Sequence, residues 1–288
     1  MIKRLTLIGA LCVVIFITGC IDTTTVISLR KDGSGTITEI VYVDESVISM
    51  FEGMMAQMSD ETEAKQEKAS EVLDIEKYKA KADKLGAGVK FVSAKEVTNQ
   101  EGSTGVEVIY SFDDIEKLNI QAKPENPVGD QMAGMVGAES AESEEEENPI
   151  TFEFIKGSTP KLIVNMPKKE EPKPAEETPE ETTSDTEAAA QGMAMMRQFL
   201  AGFRIRMMIN LLEGTIQKTN ASFVERTGGK DTVTLLNVAL GEIMSNEKYA
   251  KEWERMSQTK DMSTAMETMK NIPGLKIESS DRIEISFK

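Results

Sequence analysis

The chain has 288 residues, with 33 Lys and Arg against 49 Asp and Glu, and a formal net charge of −16, a balance that repels polyanions and excludes nucleic acid as a partner. Histidine is absent, which removes the commonest general base, the commonest zinc ligand and every Ser-His or Cys-His pair. No cofactor or metal is expected, and a reaction would have to run on carboxylates, a Ser-Lys pair or a bound group.

At the N-terminus Lys3 and Arg4 precede an apolar run from Leu5 to Ile17, which closes on Ile17-Thr18-Gly19-Cys20. That is the layout of an export signal: a charged start, a short apolar stretch and a small-residue cleavage site. The run falls short of the roughly 20 apolar residues that a membrane-spanning helix needs. Its last four residues resemble the lipobox of bacterial lipoproteins. The resemblance implies cleavage after Gly19, diacylglycerol on the Cys20 thiol and acylation of the new N-terminus. Two or more acyl chains anchor a protein stably, at about 0.8 kcal/mol per buried methylene. Cys12 is lost with residues 1–19, so no thiol is left for a disulfide. Loss of Lys3 and Arg4 takes the net charge to about −18.

Downstream the dominant period is two. Thr23, Thr25, Ile27 and Leu29 alternate into the turn Lys31-Asp32-Gly33-Ser34-Gly35, and Ile37, Val41 and Val43 alternate on the return, which predicts a hairpin. Over 46–58 the residues Val47, Phe51, Met54, Met55 and Met58 share one face at helical spacing, and a second helix is predicted from Ile75 to Leu85, stopping at Gly86. Strands follow at 89–97 and 106–112. Asp113 and Glu116 have capping-box spacing before Ile115.

Residues 123–148, with two prolines, several glycines and the run Glu144-Glu145-Glu146-Glu147, and 167–187, rich in Pro, Glu, Lys and Thr with almost nothing apolar, read as disordered acidic linkers. Between them 149–166 holds two short strands, a β-hairpin. Beyond them strands are predicted at 203–211, 216–224 and 232–236, with a final hairpin joining 275–278 to 283–287. Helices are predicted near 193–200, 239–255 and 263–270. The expected class is α+β: a mostly antiparallel sheet with helices packed on one side, its N-terminal part in 20–122 and its C-terminal part in 188–288.

These residues offer several candidate sites. In an EF-hand register the turn at 32–38 would put Arg30 and Val41 at ligand positions that need carboxylate oxygens, so it reads as a turn and not as a calcium loop. The methionines, 18 in all, cluster at spacings that suit a helical core face, an adaptable apolar surface for lipid or a partner protein, or soft copper(I) ligation. Phe51, Met54, Met55 and Met58 are the candidate ligand surface. Arg204 and Arg206 fall on the strand face opposite Ile205, Met207 and Ile209, with Arg197 upstream; this basic group suits a phosphate head group or a solvated face. No catalytic constellation is found.

A Gly-Cys-terminated signal, a hairpin with an Asp32-Gly33 turn, Gly88-Val89-Lys90-Phe91, and Gly105-Val106-Glu107-Val108-Ile109-Tyr110-Ser111-Phe112 leading to Leu118-Asn119 resemble the LppM-type domain of bacterial envelope lipoproteins. Its later strands are echoed at 204–211, 214–221 and 232–235. The resemblance implies an envelope domain with lipid association, strands on both sides of 167–187 in one sheet, and no catalytic residues. It departs at Glu213-Gly214 and Leu235, where such domains tend to have Pro-Gly and tryptophan, and in lacking a C-terminal membrane helix.

The expected function is therefore that of a non-enzymatic envelope lipoprotein, held to the membrane by acylated Cys20, that binds lipid or an envelope protein through an apolar helix–sheet surface. The alternative is a structural or assembly subunit of an envelope complex, and more remotely a hydrolase using carboxylates. In a diderm host Ile21 after the cysteine suits the outer membrane.

Overall fold

The computed structural model describes residues 21–44, 75–121, 149–167, 202–227, 229–257 and 272–288. The helices predicted at 46–58, 193–200 and 263–270, and the linkers at 123–148 and 167–187 apart from Pro167, lie outside these residues.

Eight strands build the larger sheet: β1 Ile21–Leu29, β2 Gly35–Val43, β3 Lys90–Thr98, β4 Thr104–Phe112, β7 Arg204–Leu211, β9 Val224–Thr227, β10 Lys230–Ala239 and β11 Leu275–Ile277. Their order is β11-β10-β7-β1-β2-β4-β3, with β9 also beside β10. The smaller sheet has four strands, β5 Thr151–Ile155, β6 Lys161–Asn165, β8 Ile216–Thr219 and β12 Arg282–Phe287, in the order β5-β6-β12-β8. β1 pairs parallel with β7, Asp22 beside Arg204 and Leu29 beside Leu211, so strands from both sides of residues 167–187 share one sheet.

The alternation visible in the sequence sorts the faces. Ile27, Leu29, Ile37, Val108, Tyr110, Phe112, Ile209, Leu211 and Leu235 point inward from the larger sheet and meet Phe152, Phe154, Leu162, Val164, Ile283, Ile285 and Phe287 from the smaller one, in one buried cluster. Phe154 and Phe287 lie with ring centroids 6.3 Å apart. Each large apolar side chain buried this way contributes about 1.5–3 kcal/mol. The core is thus a layer between two sheets.

This overturns the expected α+β class with helices on one side. The protein is mostly β: among the described residues twelve strands accompany three α-helices, α1 Ile75–Lys84, α2 Leu240–Met244 and α3 Glu247–Ser257. A second sheet, not a helical layer, covers the core face. α1 supplies Ala82 and, just past its end, Leu85 to the same cluster. It also receives a hydrogen bond from Tyr110 Oη at the Tyr78 carbonyl, 3.1 Å away, and pairs Lys81 with Glu39 at 3.1 Å. Its chain turns at Gly86, where φ is +134° and a Cβ would stand 2.1 Å from the Lys117 carbonyl oxygen. α2 contributes Ile243 to a separate small cluster with Ile272 and Leu275, against which Tyr249 of α3 packs.

Local readings also shift. The run 216–224 is two strands in different sheets, broken where Asn220 accepts from Glu284 N at 2.7 Å and donates to the Arg282 carbonyl at 2.9 Å. The predicted helix at 239–255 is two helices. The expected final hairpin does not form, because β11 pairs with β10 and β12 pairs with β6 and β8. The cap of the short turn at Ile115–Lys117 is Asp114, which accepts from Glu116 N at 3.1 Å; Asp113 instead meets Lys90 at 3.2 Å.

Candidate membrane-facing end of the larger sheet

Register fixes what lies at each end of the larger sheet. Ile21 is opposite Val43, Val43 is opposite Thr104, and Thr104 is opposite Thr98. On the other side Asp22 is beside Arg204, and Arg204 is opposite Ala239. One end of the sheet therefore collects the start of β1, the end of β2, the β3–β4 turn, the start of β7 and the end of β10. The opposite end carries the Lys31–Ser34 turn, the end of β4 and the end of β7.

Each piece of the first end is held locally. The Asn99 carboxamide oxygen accepts from Glu101 N at 3.0 Å and Ser103 N at 2.8 Å, which closes the β3–β4 turn. Ala239 N donates to the Gly274 carbonyl at 2.8 Å and Leu240 N to the Phe203 carbonyl at 2.9 Å. Gly274 has φ +78°, a left-handed conformation that favours glycine, and a Cβ there would crowd Glu242. Tyr42 lies over Gly105 across the β2–β4 pair, where a Cβ would stand 2.1 Å from the Val41 carbonyl oxygen. Ile21, Val43 and Ala239 are buried.

Both arginines at this end are paired. Arg206 reaches the Asp22 carboxylate at 3.1 Å and 3.3 Å, and Thr24 Oγ1 donates to the same group at 3.3 Å. Arg204 pairs with Glu242 of α2. Both arginines sit on the outer face, as alternation predicts, while Met207 and Ile209 face the core. The structure thus gives each arginine a carboxylate partner that the sequence reading missed. Asp22 is adjacent only through the parallel β1–β7 pair, and no local spacing signals it. Gly19, Cys20, Phe51, Met54, Met55, Met58 and Arg197 lie outside the described residues.

Among the described residues no group of three or more His, Cys, Asp or Glu is placed to hold a metal ion, and no helix is long and apolar enough to cross a membrane. Two buried carboxylates serve the backbone. Glu278 accepts from Ser222 N, Ser222 Oγ, Ser279 N and Ser280 N at 2.7–3.1 Å. Asp231 accepts from Ile216 N at 2.6 Å. They join the points where the chain passes between the sheets.

No protein-family model matches the chain, and no curated protein does. Among solved structures the chain is similar to the folded domain of Mycobacterium tuberculosis LppM, determined by NMR, with 10% identity over 77% of this chain and 85% of that one. The TM-score is 0.26.

Proposed function

We propose that this chain is a non-enzymatic envelope lipoprotein, anchored by acyl chains on Cys20, whose domain associates with lipid or with a partner protein at the membrane surface. The observation that carries the reading is the order of residues 3–20: two cations, an apolar run too short to span a bilayer, then Ile17-Thr18-Gly19-Cys20. It is supported by β1 starting at the next residue, Ile21. In a diderm host Ile21 at this position suits transfer to the outer membrane.

Connectivity supports an apolar contact surface near the anchor. The segment with Phe51, Met54, Met55 and Met58 follows β2 directly, and the segment with Arg197 leads into β7, so both join the sheet at the end where β1 starts. Flexible thioethers adapt to irregular apolar ligands. Arg204 and Arg206 each face a carboxylate, Glu242 and Asp22, with which a phosphate head group would have to compete.

The anchor is tested by labelling cells with palmitate: the wild-type chain incorporates it and Cys20→Ala does not, the variant accumulating as uncleaved precursor. Equal incorporation by both would exclude the reading. The contact surface is tested by Met55→Glu, which should abolish association with lipid vesicles or extracted partner while leaving the melting temperature unchanged. Unfolding of that variant would assign the residue to the core.

A further inference from the structure

The lipidated residue and the folded sheet have no spacer between them. Ile21 is the first residue of β1, paired with Val43 and only 2% exposed. Consecutive Cα atoms stand about 3.8 Å apart, so an acyl anchor on Cys20 holds the start of β1 at the level of the lipid head groups. β1 lies in the interior of the larger sheet, between β7 and β2, so its start cannot peel away without breaking ladders on both sides. The anchor therefore fixes the end of a rigid body rather than the tip of a leash.

Part of the acid at that end is matched by arginine. An anchored chain of net charge about −18 after loss of Lys3 and Arg4 is pushed away from anionic lipid, and the push is strongest within a Debye length, about 8 Å at physiological salt. At the anchored end Asp22 is paired with Arg206 and Glu242 with Arg204, while Asp44 after β2 and exposed Glu101 in the β3–β4 turn add negative charge there. The Asp32, Asp113, Asp114, Glu116 and Glu213 carboxylates lie at the opposite end.

We propose that the end of the larger sheet bearing Ile21, Val43, Thr104 and Arg204 rests directly on the bilayer that holds Cys20, with the Lys31–Ser34 turn pointing away from it. This rests on Cys20 being the lipid anchor. The strands then stand upright on the membrane, and a label in the β3–β4 turn lies near the head groups while one in the Lys31 turn stands off by the length of β1, about 30 Å at 3.3 Å per residue.

The mature chain has no free thiol once Cys20 is acylated, so single introduced cysteines can be labelled selectively. Gln100→Cys and Lys31→Cys, each exposed in a turn, are made in the full chain, purified from the envelope, spin-labelled and reconstituted into phosphatidylcholine–phosphatidylglycerol vesicles carrying a nickel-chelating lipid. Circular dichroism checks that each is folded, and mass spectrometry of the N-terminal peptide checks the diacylglycerol. The expected result is relaxation enhancement several-fold greater at Gln100→Cys than at Lys31→Cys. A Gly-Ser spacer of about twelve residues after Cys20, with a reach of roughly 20 Å, should erase the difference. Diacylglycerol present with equal enhancement at both sites, or with the larger effect at Lys31→Cys, overturns the orientation and leaves the anchor standing. Absence of diacylglycerol overturns both.

Discussion

The guanidinium of Arg206 lies 3.1 Å from the carboxylate of Asp22, a residue 184 positions away in the chain. The pair crosses the parallel β1–β7 ladder, so it ties the first described strand to the one that follows residues 167–187. Both side chains are largely covered, and Arg206 Nε is buried with no hydrogen-bond partner among the described residues.

Removing Asp22 leaves a partly buried cation without its counter-charge. Asp22→Ala should cost about 1–3 kcal/mol in urea unfolding. Arg204→Ala, whose partner Glu242 is half exposed, should cost less than about 1 kcal/mol. Equal losses would mean that the cross-strand pair adds nothing beyond an ordinary surface contact.

Glu278 is the more critical carboxylate. Its two oxygens take four donors where β9 and β11 meet along β10, next to the register shift between Thr234 and Leu236. Glu278→Ala strands those donors in a buried site and should destabilise the domain by about 2–4 kcal/mol, whereas Ser222→Ala, which removes one of them, should cost about 1 kcal/mol or less. Thermal melts of the two variants, compared with wild type, decide it.

Acid should weaken the protein through exposed carboxylates that are bonded in the folded state. The Glu153 carboxyl is held below its ordinary 4.5 by hydrogen bonds from Asn165 and then Arg282, and Glu284 below the same value by Lys161. Asp32 is held below 3.8 by the Ser34 hydroxyl and backbone N–H. Because the native values are lowered, their contribution is fully present above the ordinary values and is lost as pH falls through the lowered ones. A Glu153→Gln, Glu284→Gln variant should therefore be less stable than wild type at neutral pH and converge with it toward about pH 3. A gap that persists undiminished into acid would rule these groups out as the source.

Strand positions were readable because burial on one face imposes a period of two, and Val106, Val108, Tyr110 and Phe112 obey it as clearly as Ile283, Ile285 and Phe287. What covers that face was not readable. Alternation marks the inward residues of a strand but not whether a helix or another sheet meets them, and the helical spacings elsewhere favoured the wrong answer. Sheet membership was hidden for the same reason: Ile216 to Val224 reads as one strand until Asn220 binds β12 through its side chain. At the candidate site, the outward placement of Arg204 and Arg206 followed from alternation, while their partners depend on contacts 184 and 38 residues apart.

The parallel pairing of β1 with β7 also sets a timetable. A chain made N-terminus first can form the β1–β2 hairpin early, but the other side of β1 stays bare until residues 204–211 have arrived. Closing a loop of that length must come before its contacts stabilise anything, which makes such sheets slow to form and adhesive while they wait. β1 is thus completed late, and a nascent chain stalled before Leu211 would expose an open β-edge to any other chain within reach.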